Sequence, residues 1–191
     1  MLMNLSVYSF FKFLGVSTNH HGVHSPFVYE FLTKGLYKKQ NCLTYGELKS
    51  ICKTYDVSKK SIEITCKTIQ YFEVKTILCE TNTASMLKKI AATTATAHTI
   101  SYTPEYLPSI QMIYMDISTF NYEDLKAKLV TNPLPNDCVI VLNQIRKNKN
   151  CYVIWNNIAQ LITFTVAIDM FYTGLLFVRR EQQKEHFYIR Y

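Results

Sequence analysis

Glycine is scarce in this 191-residue chain. Gly15, Gly22, Gly35, Gly46 and Gly174 are the only ones, where average usage of about 7% gives roughly a dozen. None lies between Gly46 and Gly174. Glycine lets a backbone take φ > 0 and approach a phosphate or ribose closely, so the middle of the protein holds neither a P-loop nor a GxGxxG cradle. Paired cysteine spacing is also lacking. Cys42, Cys52, Cys66, Cys79, Cys138 and Cys151 contain no CxxC, which excludes metal-finger spacing and reads as free, mostly buried thiols in a reducing cytoplasm. The start MLMNLSVYSFFKFLG has Lys12 inside its apolar run and no small-residue cleavage site, so no signal peptide is expected.

What is present is apolar. Hydrophobic residues make up 48% of the chain, with 14 Tyr, 11 Phe and one Trp, enough for one well-cored domain and too much for extended disorder. The net charge of +7 divides as +5 over residues 1–60, −1 over 61–120 and +3 over 121–191. A basic excess at both ends reads first as solvated surface. The alternative is a face for nucleic acid or an acidic partner.

Helical spacing dominates the first third. Met3 to Leu14 reads as a short helix, Ser25-Pro26 as a cap and first turn, Thr44-x-x-Glu47 as a capping box opening a helix to about Tyr55. Ser58–Phe72 follows with Ile62, Cys66 and Ile69 on one face. From Val74 the rhythm changes to strands (74–79, 97–102, 110–115, 138–142) separated by helices at Ala84–Ala92 and from Asn121 to about Val130. That alternation predicts an α/β domain with a mostly parallel sheet. The division expected is a helical extension over 1–72 and an α/β unit over 73–191, packed as one compact body. The apolar stretch Ile158–Val178 has only Asp169 charged. Its alternation from Ile162 to Met170 is the period of a strand, and Asp at the centre of a span is costly. A strand pair turning near Tyr172–Gly174, with a last strand in HFYIRY (186–191), is therefore expected, and no membrane span.

Candidate chemistry is sparse. His20, His21 and His24 have spacings that suit a metal on a helix, but Gly22 and Ser25-Pro26 place them in a turn, where ring N–H groups bonded to backbone are the plainer reading. Cys52 or Cys66 as a nucleophile would need a base and an orienter, which sequence does not locate; a structural thiol is the plainer reading. Glu123-Asp124 suit the first turn of a helix. Arg146-Lys147-Asn148-Lys149 follows a strand at the edge where α/β folds bind ligands; it reads as a site for an anionic partner or as a wet loop.

Two segments carry a resemblance. HGVHSPFVYEFLTKGLY near the start and AIDMFYTGLLFVRREQQKEHFYIRY at the end resemble a group of class I S-adenosylmethionine-dependent methyltransferase-like proteins of the Bacteroidetes lineage. Together they span 42 of the 191 residues. The resemblance implies a Rossmann-like sheet with antiparallel C-terminal strands, and it implies where a cofactor would lie. The family's E-L-G-x-x-x-G turn after the first strand, laid over KTILCETNTASMLKKIA, puts the acid on Cys79 and the glycines on Thr81 and Ser85. Glu80 is one place out of register, on the opposite side of the strand. The ribose-binding acid falls on Ser101, the strand-four Asp is kept as Asp116, and an Asp-Asp pair falls on Asn143-Gln144. Between TISYTPE and IQMIYMD only residues 106–109 remain, too few for a parallel crossover of a dozen or more residues. The family's third strand has no room.

The expected fold is thus a shortened Rossmann-like methyltransferase domain with N-terminal helices. The expected function is that of a degenerate, non-catalytic member that binds a protein or other partner. An active methyltransferase with a divergent S-adenosylmethionine pocket is the second reading, and a basic nucleic-acid-binding module the third. No metal is expected, and the oligomeric state is open.

Overall fold

Strands alternate with helices, and local caps set where the helices begin. The computed structural model describes residues 5–39, 43–94, 99–101, 109–119, 122–123, 126–127 and 133–191, with backbone alone at 5, 6, 99 and 101. Helix α1 spans Leu5–Val16. Helix α2 spans Pro26–Glu30, with Pro26 at the first helical position, where a missing N–H is no loss, and it widens into a π-turn over Phe31–Leu36. Thr44 and Glu47 form the reciprocal cap of α3 (Tyr45–Tyr55): Thr44 Oγ1 accepts from the Glu47 N–H, and Glu47 Oε2 accepts from the Thr44 N–H at 2.8 Å. Ser58 Oγ accepts from the Ser61 N–H and opens α4 (Lys59–Tyr71), whose Ile62, Cys66 and Ile69 are buried. Helix α5 spans Thr81–Ala91.

Among the described residues, seven strands form one sheet: β1 (Thr76–Cys79), β2 (Thr99–Ser101), β3 (Met112–Asp116), β4 (Val139–Asn143), β5 (Val166–Asp169), β6 (Thr173–Phe177) and β7 (Glu185–Tyr188). Their order is β2-β1-β3-β4-β6-β5-β7. Only β6 runs against the other six, pairing antiparallel with β4 and β5. This is a Rossmann-like α/β fold. Side chains of alternate parity build a core on each face. Ile77, Met112, Tyr114, Val141 and Phe177 pack with α2 to α5. Ile113, Ile140, Leu142 and Leu176 pack with a sixth helix, α6 (Lys149–Ala159), through Cys151, Trp155 and Ile158.

Three details differ from the sequence reading. The strand expected from Ile162 starts only at Val166; Ile162 is 94% exposed, in a turn. Helix α6 was not foreseen, although Asn148 caps it by accepting the Cys151 N–H at 2.9 Å. The helix expected from Asn121 to Val130 lies mostly outside the described residues, as does the start of the strand expected at 97–102.

His186 on β7 gives a pH prediction. Its ring stacks on Tyr188 at 4.7 Å and meets the edge of buried Trp155 at 5.8 Å, and burial holds the imidazole below its ordinary value. The unfolded chain therefore binds the proton more readily than the folded one. The stabilisation is present above the unfolded pKa of about 6.5 and is lost as pH falls through the folded value. Urea midpoints should decline from neutral pH toward pH ~5, and His186→Phe should flatten that decline.

Candidate functional site

In open α/β sheets, ligands bind outside the C-terminal ends of the strands, where strand order reverses. That point lies between β1 and β3, because β2 flanks β1 on the other side. Glu80 follows β1 at the cap position of α5 but makes no side-chain cap bond. Its carboxylate meets Thr119 beyond β3 instead: Thr119 Oγ1 lies 3.1 and 3.3 Å from the two carboxylate oxygens. Asp116 ends β3. Its Oδ1 accepts from the Ser118 N–H at 2.9 Å and the Ser118 hydroxyl at 2.7 Å, and its Oδ2 accepts from Gln144 Nε2 at 2.8 Å. Gln144 sits in the left-handed region at φ 59°. Side chains of the protein itself therefore link β1 to the turn after β3, and β3 to the turn after β4.

The other positions singled out from the sequence separate. Cys79 is buried in the core beside Ile77 and Tyr114, and burial pushes its thiol upward in pKa, away from a reactive thiolate. Thr81 and Ser85 are exposed on α5. Ser101 ends β2 in register with Leu78. Asn143, opposite Asp116 across the β3–β4 ladder, is 1% exposed, and both its amide N and O lack a partner among the described residues. It lines a cavity of about 380 Å³ with Ser58 and Ser61 at the start of α4, together with Gln144, Lys147 and Tyr172. An amide buried without partners is unfavourable, so this cavity presents an unmet donor and an unmet acceptor to what enters it. Thr119 and Ser118 were not anticipated; their only signal is the Ser-Thr pair two residues after Asp116.

The basic run after β4 divides in two. Arg146 is neither wet loop nor free cation: its guanidinium makes two bonds to Asp169, at 2.5 and 2.7 Å, with the two side chains 7% and 0% exposed. Asp169 also accepts from Trp155 Nε1 at 3.1 Å and the Phe171 N–H at 2.9 Å. Lys147, Asn148 and Lys149 stay exposed.

His20–Gly22 forms a single 3-10 turn, with Asn19 Oδ1 accepting from the His21 N–H. The His20 and His21 rings lie 4.0 Å apart, and His20 Nδ1 is buried without a partner among the described residues, so the expected ring-to-backbone bond is not made there among them. No group of three or more His, Cys, Asp or Glu that could hold a metal occurs among the described residues. The cysteine alternative gains nothing from Cys52, whose thiol burial also pushes upward.

The two segments that carry the resemblance meet in space. Tyr37 donates its hydroxyl to the Arg190 C=O at 2.8 Å, and Thr18, just before the first segment, bridges to Ile189 with N–H and C=O bonds to Tyr188 and Arg190 at 2.8 and 2.9 Å. Phe27 of the HSPF stretch lies under the Arg179 guanidinium at 4.2 Å and against Phe177 at 5.1 Å. Those residue types meet the needs of packing between the chain's two ends.

No family model matches the chain, and no curated protein matches it. Among solved structures, a methyltransferase from Geobacter sulfurreducens is similar with a TM-score of 0.48 and 10% identity, over 82% of this chain and 97% of that one. At that identity the likeness carries nothing about chemistry. No helix among the described residues is long and apolar enough to cross a membrane.

Proposed function

We propose that this chain is a methyltransferase-like protein that has lost S-adenosylmethionine binding and acts by binding a partner on the retained scaffold. The observation that carries this reading is the pair of links at the strand ends, Glu80 with Thr119 and Asp116 with Gln144. A cofactor's ribose hydroxyls and ammonium need carboxylate acceptors and bare backbone. Here Glu80 meets a neighbouring hydroxyl, Asp116 takes three donors, and the first turns of α5 carry the side chains of Thr81 and Ser85 where the family has glycine. These residues do not fit the cofactor.

One observation favours the second reading, an active enzyme with a divergent pocket: the unpartnered Asn143 amide over its cavity beside Asp116. Thermal unfolding separates the two. A ligand at 100 times its Kd adds about 2.7 kcal/mol, several degrees in Tm for a chain of this size. Millimolar S-adenosylmethionine or S-adenosylhomocysteine should leave Tm unchanged; a rise of several degrees with either establishes the second reading.

A further inference from the structure

A second cavity, of about 550 Å³, opens between α1, the turn after β4 and the turn between β5 and β6. Three lysines from two distant segments line it: Lys12 on α1, and Lys147 and Lys149 at the start of α6. None of the three takes part in an ion pair among the described residues. Lys147 makes one long contact, 3.3 Å to the Ser118 hydroxyl. Among the described residues, no Asp or Glu lines the cavity. Behind it, Asp169 is paired with Arg146 and takes four donor contacts in all, and Asp116 meets Lys147 only through the Ser118 hydroxyl and takes three donors of its own. The lysines therefore set the sign of the field at the opening, and the N-terminus of α6 adds to it.

The walls are flat and apolar. Phe13, Tyr152, Phe171 and Tyr188 contribute rings, and Val16 an aliphatic edge. Three of those rings are fixed by Arg146, whose guanidinium carbon lies 4.4 Å from the Tyr152 centroid, 5.1 Å from Phe171 and 5.2 Å from Phe13. The cavity is thus built on a buried ion pair rather than on mobile side chains. Its volume lies in the range of small-molecule sites and is far larger than an inorganic anion needs. Lysine is a point-charge phosphate binder, and aromatic walls suit a planar body.

We propose that this cavity binds a phosphorylated molecule with a flat body, of the size of a nucleoside phosphate, with its phosphates among Lys12, Lys147 and Lys149. The inference is independent of the cofactor reading: S-adenosylmethionine has no phosphate and carries a sulfonium cation, which these lysines repel.

The test is calorimetric titration of the full chain with adenosine and uridine diphosphates, with adenosine and inorganic phosphate as controls. At least one nucleotide should bind saturably in the micromolar range and weaken as salt rises. Both controls should bind at least tenfold more weakly. Lys12→Gln/Lys149→Gln should weaken the nucleotide at least tenfold, and Val16→Glu, an exposed position carrying a carboxylate into the cavity, should do the same. All three residues are exposed, so circular dichroism should show unchanged folding. A 5′-phosphorylated oligonucleotide that competes through the same lysines assigns the phosphate to a strand end; competition by free nucleotide alone assigns it to a small molecule. Absence of saturable nucleotide binding, binding indifferent to the substitutions, or phosphate alone binding as tightly as the nucleotide overturns the proposal.

Discussion

Arg146→Met should lower the unfolding free energy by about 3–5 kcal/mol, the largest effect expected of any single substitution in the turn after β4. The Asp169 carboxylate is fully buried, and Arg146 supplies its counter-charge through two bonds. Removing one member of such a pair leaves an ion stranded in low dielectric, which is far costlier than lacking the pair altogether. The guanidinium also packs against Phe13, Tyr152 and Phe171, and cation–π contacts away from water contribute on the order of 2 kcal/mol. Because Phe13 belongs to α1, the loss should loosen that helix first, visible as faster amide exchange over Leu5–Val16. The double change Arg146→Met/Asp169→Leu should recover part of the stability, since no buried charge remains. Urea unfolding of the wild type and the two variants measures this. A single-variant loss under about 1 kcal/mol, the range of an exposed pair, would contradict it.

Gly174→Ala should also destabilise strongly, by about 1–3 kcal/mol or more. Gly174 lies in β6, where a Cβ would sit 2.3 Å from Trp155 Cζ3 and 2.7 Å from Cε3 and Cη2. The indole cannot swing away: it is fully buried and donates to Asp169 at 3.1 Å. Its backbone φ is not positive, so the need is for space, not for a turn. Trp155→Phe makes room, and Gly174→Ala should be less damaging in that background than in the wild type. Additive effects in a double-mutant cycle would show that the ring and the glycine do not meet.

These two positions show where sequence reading reached and where it stopped. Thr44-x-x-Glu47, Ser58 and the short apolar runs at 74–79, 110–115 and 138–142 marked their elements because each signal is local: a cap satisfies nearby N–H groups, and a strand run needs only apolar side chains. The β5–β6 hairpin was legible in the alternation before Tyr172, but its start was placed too early. Alternation records residue type and not burial, and it ran through exposed Ile162. Helix α6 was hidden because Ile158 and Ala159, its buried end, merge into the apolar stretch that follows. The bonds of Asp169 were out of reach for a different reason. The Phe171 N–H, two residues on, is a local partner, but Arg146 and Trp155 come from other elements, and only the fold sets them beside it. At the candidate site, the strand ends carrying Glu80, Asp116 and Asn143 were legible, because topology puts strand ends at one edge. Which side chain would meet which was not: Thr119 meets Glu80 and Gln144 meets Asp116 through turns whose geometry no motif encodes.

The scarcity of glycine takes on a physical meaning in this frame. Of the five, Gly174 makes room for Trp155, and Gly35 sits 3.0 Å by its would-be Cβ from the Tyr71 ring; those two serve packing. None stands between β1 and the first turns of α5, where Thr81 and Ser85 carry side chains in the place of bare backbone. Isothermal titration of the full chain with S-adenosylhomocysteine, which carries the adenosine and amino-acid halves of the cofactor without its charge, tests that reading most directly. The account predicts heats indistinguishable from dilution up to millimolar ligand. A saturable isotherm in the micromolar range, weakened by Asp116→Ala, would contradict it.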